Sequence, residues 1–138
     1  MLRVPQAARR CLPLLFLATL AGCGLSGPAY NAPTTTGAPV VDMGFTSFDP
    51  PTIHIKAGQT VEWRNTSLIT HTVADDAKLA GDASHASIPA GATSFNSGDV
   101  RAGQVFRYTF TVPGTYKYFC THHEDDDMVG TIVVDPAS

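Results

Sequence analysis

Val105-Phe-Arg-Tyr-Thr-Phe-Thr-Val112-Pro113-Gly114-Thr-Tyr-Lys-Tyr-Phe-Cys120 is the stretch of this 138-residue chain whose reading decides the fold. Its first half alternates, with Val105, Arg107, Thr109 and Thr111 on one face and Phe106, Tyr108, Phe110 and Val112 on the other. That is the two-residue period of an extended strand. Pro113-Gly114 interrupts it, and Thr115 to Cys120 reads as a second strand. Upstream, Val40-Val41-Asp42-Met43-Gly44-Phe45 starts a strand and Phe48-Asp49-Pro50-Pro51 reads as a turn or bulge. Thr52 to Lys56 and Thr60 to Asn65 alternate on either side of an Ala57-Gly58 turn, and Thr70 to Val73 is short and β-rich. Ala74 to Thr93 is rich in Ala, Asp, Ser and Gly and reads as a loop, with a short helix over Asp75–Leu79 as the alternative. Gly98-Asp99 and Ala102-Gly103 flank a further turn, and Gly130 to Val134 closes the chain. Short strands at regular spacing with Gly and Pro turns predict an all-β Greek-key sandwich or barrel of about seven to eight strands. Residues 40–138 suffice for one such domain and leave no room for a second.

The strand that ends at Cys120 runs into Thr-His-His-Glu-Asp-Asp-Asp-Met128. One short loop therefore holds a thiolate at Cys120, an imidazole at His123 and a thioether at Met128. Soft sulfur with nitrogen suits copper, whereas calcium and magnesium want oxygen. A second strong nitrogen ligand must come from elsewhere, and Thr70-His71-Thr72-Val73 offers one. Two imidazoles, a thiolate and a weak axial Met describe a blue-copper site, although a Gln or a backbone oxygen also serves axially. Each residue has a plainer reading. His71 alone is a surface strand residue, Cys120 a small buried hydrophobe and Met128 core filler. Their combination favours ligation.

The N-terminus reads as a leader. Arg3, Arg9 and Arg10 precede the apolar run Cys11 to Leu20, which is too short to span a bilayer comfortably and matches a signal peptide over residues 1–22. The run ends in Leu20-Ala21-Gly22-Cys23, which resembles the lipobox of bacterial lipoproteins. That resemblance implies cleavage before Cys23 and lipidation of its thiol; an ordinary cleavage site, with Cys23 free or removed, is the alternative. Residues 23–39 carry Gly, Ser, Thr, Ala and Pro with almost no large apolar side chains, and read as a flexible tether. Of the 3 cysteines, Cys120 is then alone in the exported domain, where an unpaired thiol needs a reason that metal ligation supplies. Loss of the three leader arginines from 9 basic residues leaves 6 against 12 acidic ones, a net of −6 with His neutral. Such a balance argues against nucleic acid as a partner.

Several segments together resemble the cupredoxins, most closely the plastocyanin, pseudoazurin and amicyanin type. They are Asn65…His71-Thr72-Val73, Phe95-Asn96-Ser97-Gly98, Gly114 to His123 and Met128-Val129-Gly130-Thr131-Ile132-Val133-Val134. The resemblance spans roughly the whole domain. It implies a type 1 copper ion held by His71, Cys120, His123 and Met128, with Asn65, Thr72 and His122 around the ligands. The Cys-to-Met spacing fits the longer loop of plastocyanin and pseudoazurin rather than amicyanin's. Relatives commonly carry Pro at the position of His122; proline has no N–H, whereas the His122 backbone has one to offer the Cys120 sulfur. His122 itself is spaced as a non-ligand, and His54 and His85 read as exposed or core residues.

Glu124, Asp125, Asp126 and Asp127 place four acids inside the ligand loop. They read either as a solvated charge run or as a docking patch that steers a basic redox partner toward His123. The function that follows is a non-enzymatic one-electron carrier, monomeric by default. It would be lipid-anchored on the periplasmic or cell-surface side of a bacterial membrane, and Gly24 brings no acidic retention signal to Cys23. A copper store or chaperone is the alternative. A multicopper enzyme would need more His ligands than the 5 present and a second domain, and a binuclear centre a second Cys in the loop.

Overall fold

The computed structural model describes residues 37–138; the expected leader, Cys23 and the tether up to residue 36 lie outside the described residues. Among the described residues seven strands form two sheets: β1 (Val40–Met43), β2 (Phe48–Asp49), β3 (Thr52–Lys56), β4 (Thr60–Asn65), β5 (Val105–Thr109), β6 (Gly114–Phe119) and β7 (Val129–Asp135). One sheet has the order β2-β1-β4-β5 and the other β3-β7-β6. β3 and β4 follow one another in sequence but belong to different sheets. The turn between them needs a residue at positive φ, which Gly58 supplies at +94°.

Alternation does the packing. Val61 and Trp63 of β4 and Tyr116 and Tyr118 of β6 face inward and are buried, with Val41, Met43, Ile55, Ile132 and Val134 completing the core between the sheets. Trp63 meets Tyr118 edge-on at 5.4 Å between ring centroids, which joins the two layers at their centre. Phe110 meets Tyr116 at 4.8 Å.

The strand expected over Val105–Val112 stops at Thr109. Phe110 turns to the β3–β4 connection, donating its N–H to the Gln59 carbonyl (3.0 Å) and accepting from Gly58 N (2.7 Å). Its side chain enters the core. Phe48–Asp49, expected as a turn or bulge, pairs with β1 as a two-residue strand. No helix forms over Asp75–Leu79; a three-residue 3-10 helix appears instead at Ala83–His85, where Asp82 Oδ1 accepts from Ser84 N at 2.8 Å.

Two features bring distant residues to one end of the sandwich. β1 and β4 run parallel and finish side by side at Met43 and Asn65. β6 and β7 are antiparallel, with Phe119 opposite Val129, so residues 120–128 form their connection. The segment after β4 stitches these parts together. His71 exchanges both backbone hydrogen bonds with Val100 (3.0 and 2.7 Å), and Ala74 exchanges both with Phe119 (3.0 and 2.9 Å).

Candidate metal centre

The β6–β7 connection is closed by its own backbone. Cys120 N donates to Met128 O at 3.0 Å, His123 N to Cys120 O at 3.1 Å and Met128 N to His123 O at 3.2 Å. A 3-10 turn over Glu124–Asp126 ends in Asp127 at φ +56°, a left-handed conformation that Asp tolerates better than most residues. The Ala74–Phe119 pairing then lays Thr72 and His71 alongside Thr121 and Cys120.

His71, Cys120 and His123 converge, their donor atoms all within 4.8 Å of one another. Cys120 Sγ lies 3.7 Å from His71 Nδ1 and 3.4 Å from His123 Nδ1. Nitrogen and sulfur atoms that share one metal at bonds of roughly 2.0–2.3 Å lie about 3.5–3.7 Å apart at ordinary bond angles, so both spacings fit a shared ion. Soft sulfur with two imidazoles fits copper. Met128 is fully buried, and its backbone carbonyl accepts from Cys120 N–H, which holds the residue at the closing end of the same loop.

The atoms around the donors are arranged for ligation. Thr72 N–H points at Cys120 Sγ (3.3 Å), and Thr72 Oγ1 lies 3.8 Å from it. The same hydroxyl accepts from Thr121 N at 2.7 Å, locking the His71 segment to the Cys120 loop. The backbone donor anticipated from His122 is not among the sulfur's bonds. The Thr72 segment, held in register by Ala74 and Phe119, brings an N–H to the sulfur instead. His122 turns its ring outward to Asp99 Oδ1 at 2.9 Å.

Asn65 anchors the other side. Its Nδ2 donates to Ile69 O (2.7 Å) and Val100 O (2.8 Å), while its Oδ1 accepts from Ser67 N (2.9 Å) and Ser67 Oγ (2.8 Å). With its proton committed to Asn65, the Ser67 hydroxyl faces His71 Nε2 at 2.9 Å as an acceptor. That bond protonates Nε2 and leaves Nδ1 for a metal, the outer-shell arrangement typical of ligating His. Ser67 carried no sequence signal beyond lying four residues before His71. Burial, then the nearby His123, holds the His71 imidazole below its ordinary pKa against an opposing backbone contact from Gly44, so the neutral ligating form is favoured.

The four loop acids divide. Asp125, Asp126 and Asp127 are exposed. Glu124 bends back to accept from Asp82 N (3.0 Å) and Gly81 N (2.9 Å), and these bonds hold its carboxyl below the usual range. Its Oε1 also meets His85 Nδ1 at 3.0 Å. His54 is exposed on β3, away from the loop.

Comparison with known proteins agrees with this geometry. A sequence model for copper binding proteins of the plastocyanin/azurin family matches residues 36–135. Amicyanin of Paracoccus denitrificans is 30% identical over 136 residues, covering 92% of this chain and 95% of the relative. Chloroplastic plastocyanin of Tetradesmus obliquus is 34% identical over 115 residues, covering 83% and 74%. Among solved structures, a reduced amicyanin variant superposes with a TM-score of 0.61 at 32% identity, covering 79% of this chain and 92% of that one.

Proposed function

This chain belongs to the plastocyanin/azurin family of copper-binding proteins, and from that premise we propose that it carries single electrons between redox partners without being an enzyme. The observation that carries the reading is the closed donor set. His71 and Cys120 are fully buried and His123 is half-buried, and the loop that supplies two of them is bonded to itself and to Thr72. His71, Cys120, His123 and Met128 would hold copper, which would supply a one-electron couple. The chain's own part is to hold the donors in one arrangement for both oxidation states and to keep water from the thiolate. Electrons would pass through the His123 edge. Phe45 and Leu68, 66% and 86% exposed, project from the connections that leave β1 and β4 at this same end and offer an apolar rim for docking.

Voltammetry and chelator competition test the carrier reading together. The domain should give a reversible one-electron wave and retain its metal in both oxidation states against a competing Cu(I) chelator. Rapid loss of Cu(I) to the chelator would move the assignment to storage or delivery.

Asp125, Asp126 and Asp127 are proposed to steer a basic partner. Neutralising all three as Asn should lower the association rate with such a partner about tenfold at low salt and flatten its ionic-strength dependence. Stopped-flow electron transfer measures this, and unchanged kinetics would remove the patch from the mechanism. The N-terminal signal, with Cys23 as lipid anchor, supports placing the domain on the outer face of a bacterial membrane. Mass spectrometry of the mature N-terminus checks that placement.

A further inference from the structure

We propose that Glu124 is a positioning residue for the metal loop: with His85 it latches that loop to the 75–95 segment and so fixes His123, its immediate neighbour. Glu124 stands apart from the acids that follow it. Its side chain is 14% exposed, against 89% for Asp127. Both carboxylate oxygens are engaged across the fold, Oε2 with Gly81 N–H and Oε1 with Asp82 N–H and His85 Nδ1. Hydrogen bonds to a charged acceptor are the stronger kind, and two of these are to backbone, which cannot rotate away.

The latch works because the segment it grips is itself fixed. At the base, Asp75 Oδ1 accepts from Ser94 Oγ and Phe95 N, both at 2.7 Å. Beyond His85, Ser87 exchanges both backbone bonds with Lys117 of β6 (3.1 and 2.9 Å). Glu124 therefore ties the metal loop to a post built on the sandwich. Its position is decisive, since it opens the 3-10 turn that follows His123, and the turn's other acids are exposed. An imidazole on a loop held from one side only would follow the preferences of whichever oxidation state is present. A second tether on the outer side limits that movement.

The test uses Glu124→Ala and Glu124→Gln, with Asp125→Asn as a control that removes the same charge one residue away. Two readouts are needed: amide hydrogen exchange in the apoprotein and the rate of copper release from the loaded protein. Glu124→Ala should speed exchange at Gly81 and Asp82, and also at His123 and Met128, by at least about tenfold. Copper release should quicken by about 10–100-fold, the usual scale for losing an outer-shell partner. Glu124→Gln keeps one acceptor oxygen but turns an amide donor toward a backbone N–H, so it should fall between alanine and the parent. Should Glu124→Ala not fold, His85→Ala removes the latch's other half and should reproduce part of both effects. Faster exchange confined to Gly81 and Asp82, with His123, Met128 and copper release unchanged, would overturn the proposal. So would an equal effect from Asp125→Asn, which would assign the result to charge. The release arm rests on the copper-carrier reading, whereas the apoprotein exchange does not. A parent protein that forms no blue centre would therefore defeat that reading and leave the latch to be decided by exchange.

Discussion

Replacing Cys120 with serine is expected to abolish an intense thiolate-to-copper band near roughly 600 nm while leaving the fold intact. The band requires a thiolate ligand, and Cys120 is the free, buried cysteine among the described residues, its Sγ 3.7 and 3.4 Å from the Nδ1 atoms of His71 and His123. Serine is nearly the same size, and its hydroxyl would still meet Thr72 N–H, which now points at the sulfur from 3.3 Å. The core should therefore tolerate the change. The hydroxyl stays protonated near neutral pH and is a hard donor, so copper should bind more weakly by more than the roughly 10–100-fold that an outer-shell loss costs. Whatever copper remains should show the weak absorption and wide hyperfine splitting of an ordinary nitrogen–oxygen site. Absorption and EPR spectra of parent and variant, with circular dichroism to confirm folding, make the comparison. A variant that kept the band would refute the assignment of Cys120. A parent that never showed it, yet bound copper equally well without the thiol, would favour storage over electron transfer.

The donors were legible in the sequence because they are carried by spacing: Cys120 and His123 sit on one loop, and His71 lies in a β-rich run. The strands were legible for a similar reason. β3 and β4 fall where alternation is bounded by turn residues, and both match the expected Thr52–Lys56 and Thr60–Asn65. What sequence did not disclose depends on contacts between distant segments. Phe110 leaves its strand because the Gly58 turn captures its backbone, and nothing within 105–112 announces that. Ser67 looks like any loop serine until Asn65 fixes its proton and directs its oxygen at His71. Glu124 reads as one of four equivalent acids until residues 81 and 82, more than forty positions earlier, fold over it. The loop's own sequence offers the sulfur an N–H at His122, whereas the strand pairing brings the Thr72 N–H there from 48 residues away. Ligands can be read locally; the residues that orient them cannot.

Gly130 shows the same dependence at the level of stability, and Gly130→Ala is expected to destabilise the domain by about 3 kcal/mol, near the upper end of overpacking penalties. Gly130 stands on β7 directly opposite Tyr118 on β6. A Cβ there would overlap Tyr118 Cζ and its hydroxyl and come within 2.8 Å of Cε1. The clash is with the body of a ring that has no room to swing, since Phe48 packs on Tyr118 at 4.7 Å and Trp63 at 5.4 Å. Gly130 is not among the glycines at positive φ, so alanine brings no backbone strain and the effect isolates space. For a domain of this size the loss should lower Tm by roughly 10–20 °C, measurable by thermal and guanidinium unfolding of the apoprotein. Tyr118→Phe supplies the second arm. The hydroxyl is buried and makes no well-formed hydrogen bond among the described residues, and burial pushes its pKa far above the usual range against an opposing contact from Trp63. Its removal alone should cost less than about 1 kcal/mol. In the Gly130→Ala background the same change deletes one of the overlapping atoms, so the double variant should be more stable than the sum of the singles predicts. Additive costs would mean that the strands separate to admit the methyl group and that Tyr118 is not what demands glycine. A coupled result would show that β6 and β7 are spaced by a ring lying over a bare backbone. Tyr118 and Gly130 each lie two residues from the ends of the metal loop, so that spacing also sets how Cys120 and Met128 face one another.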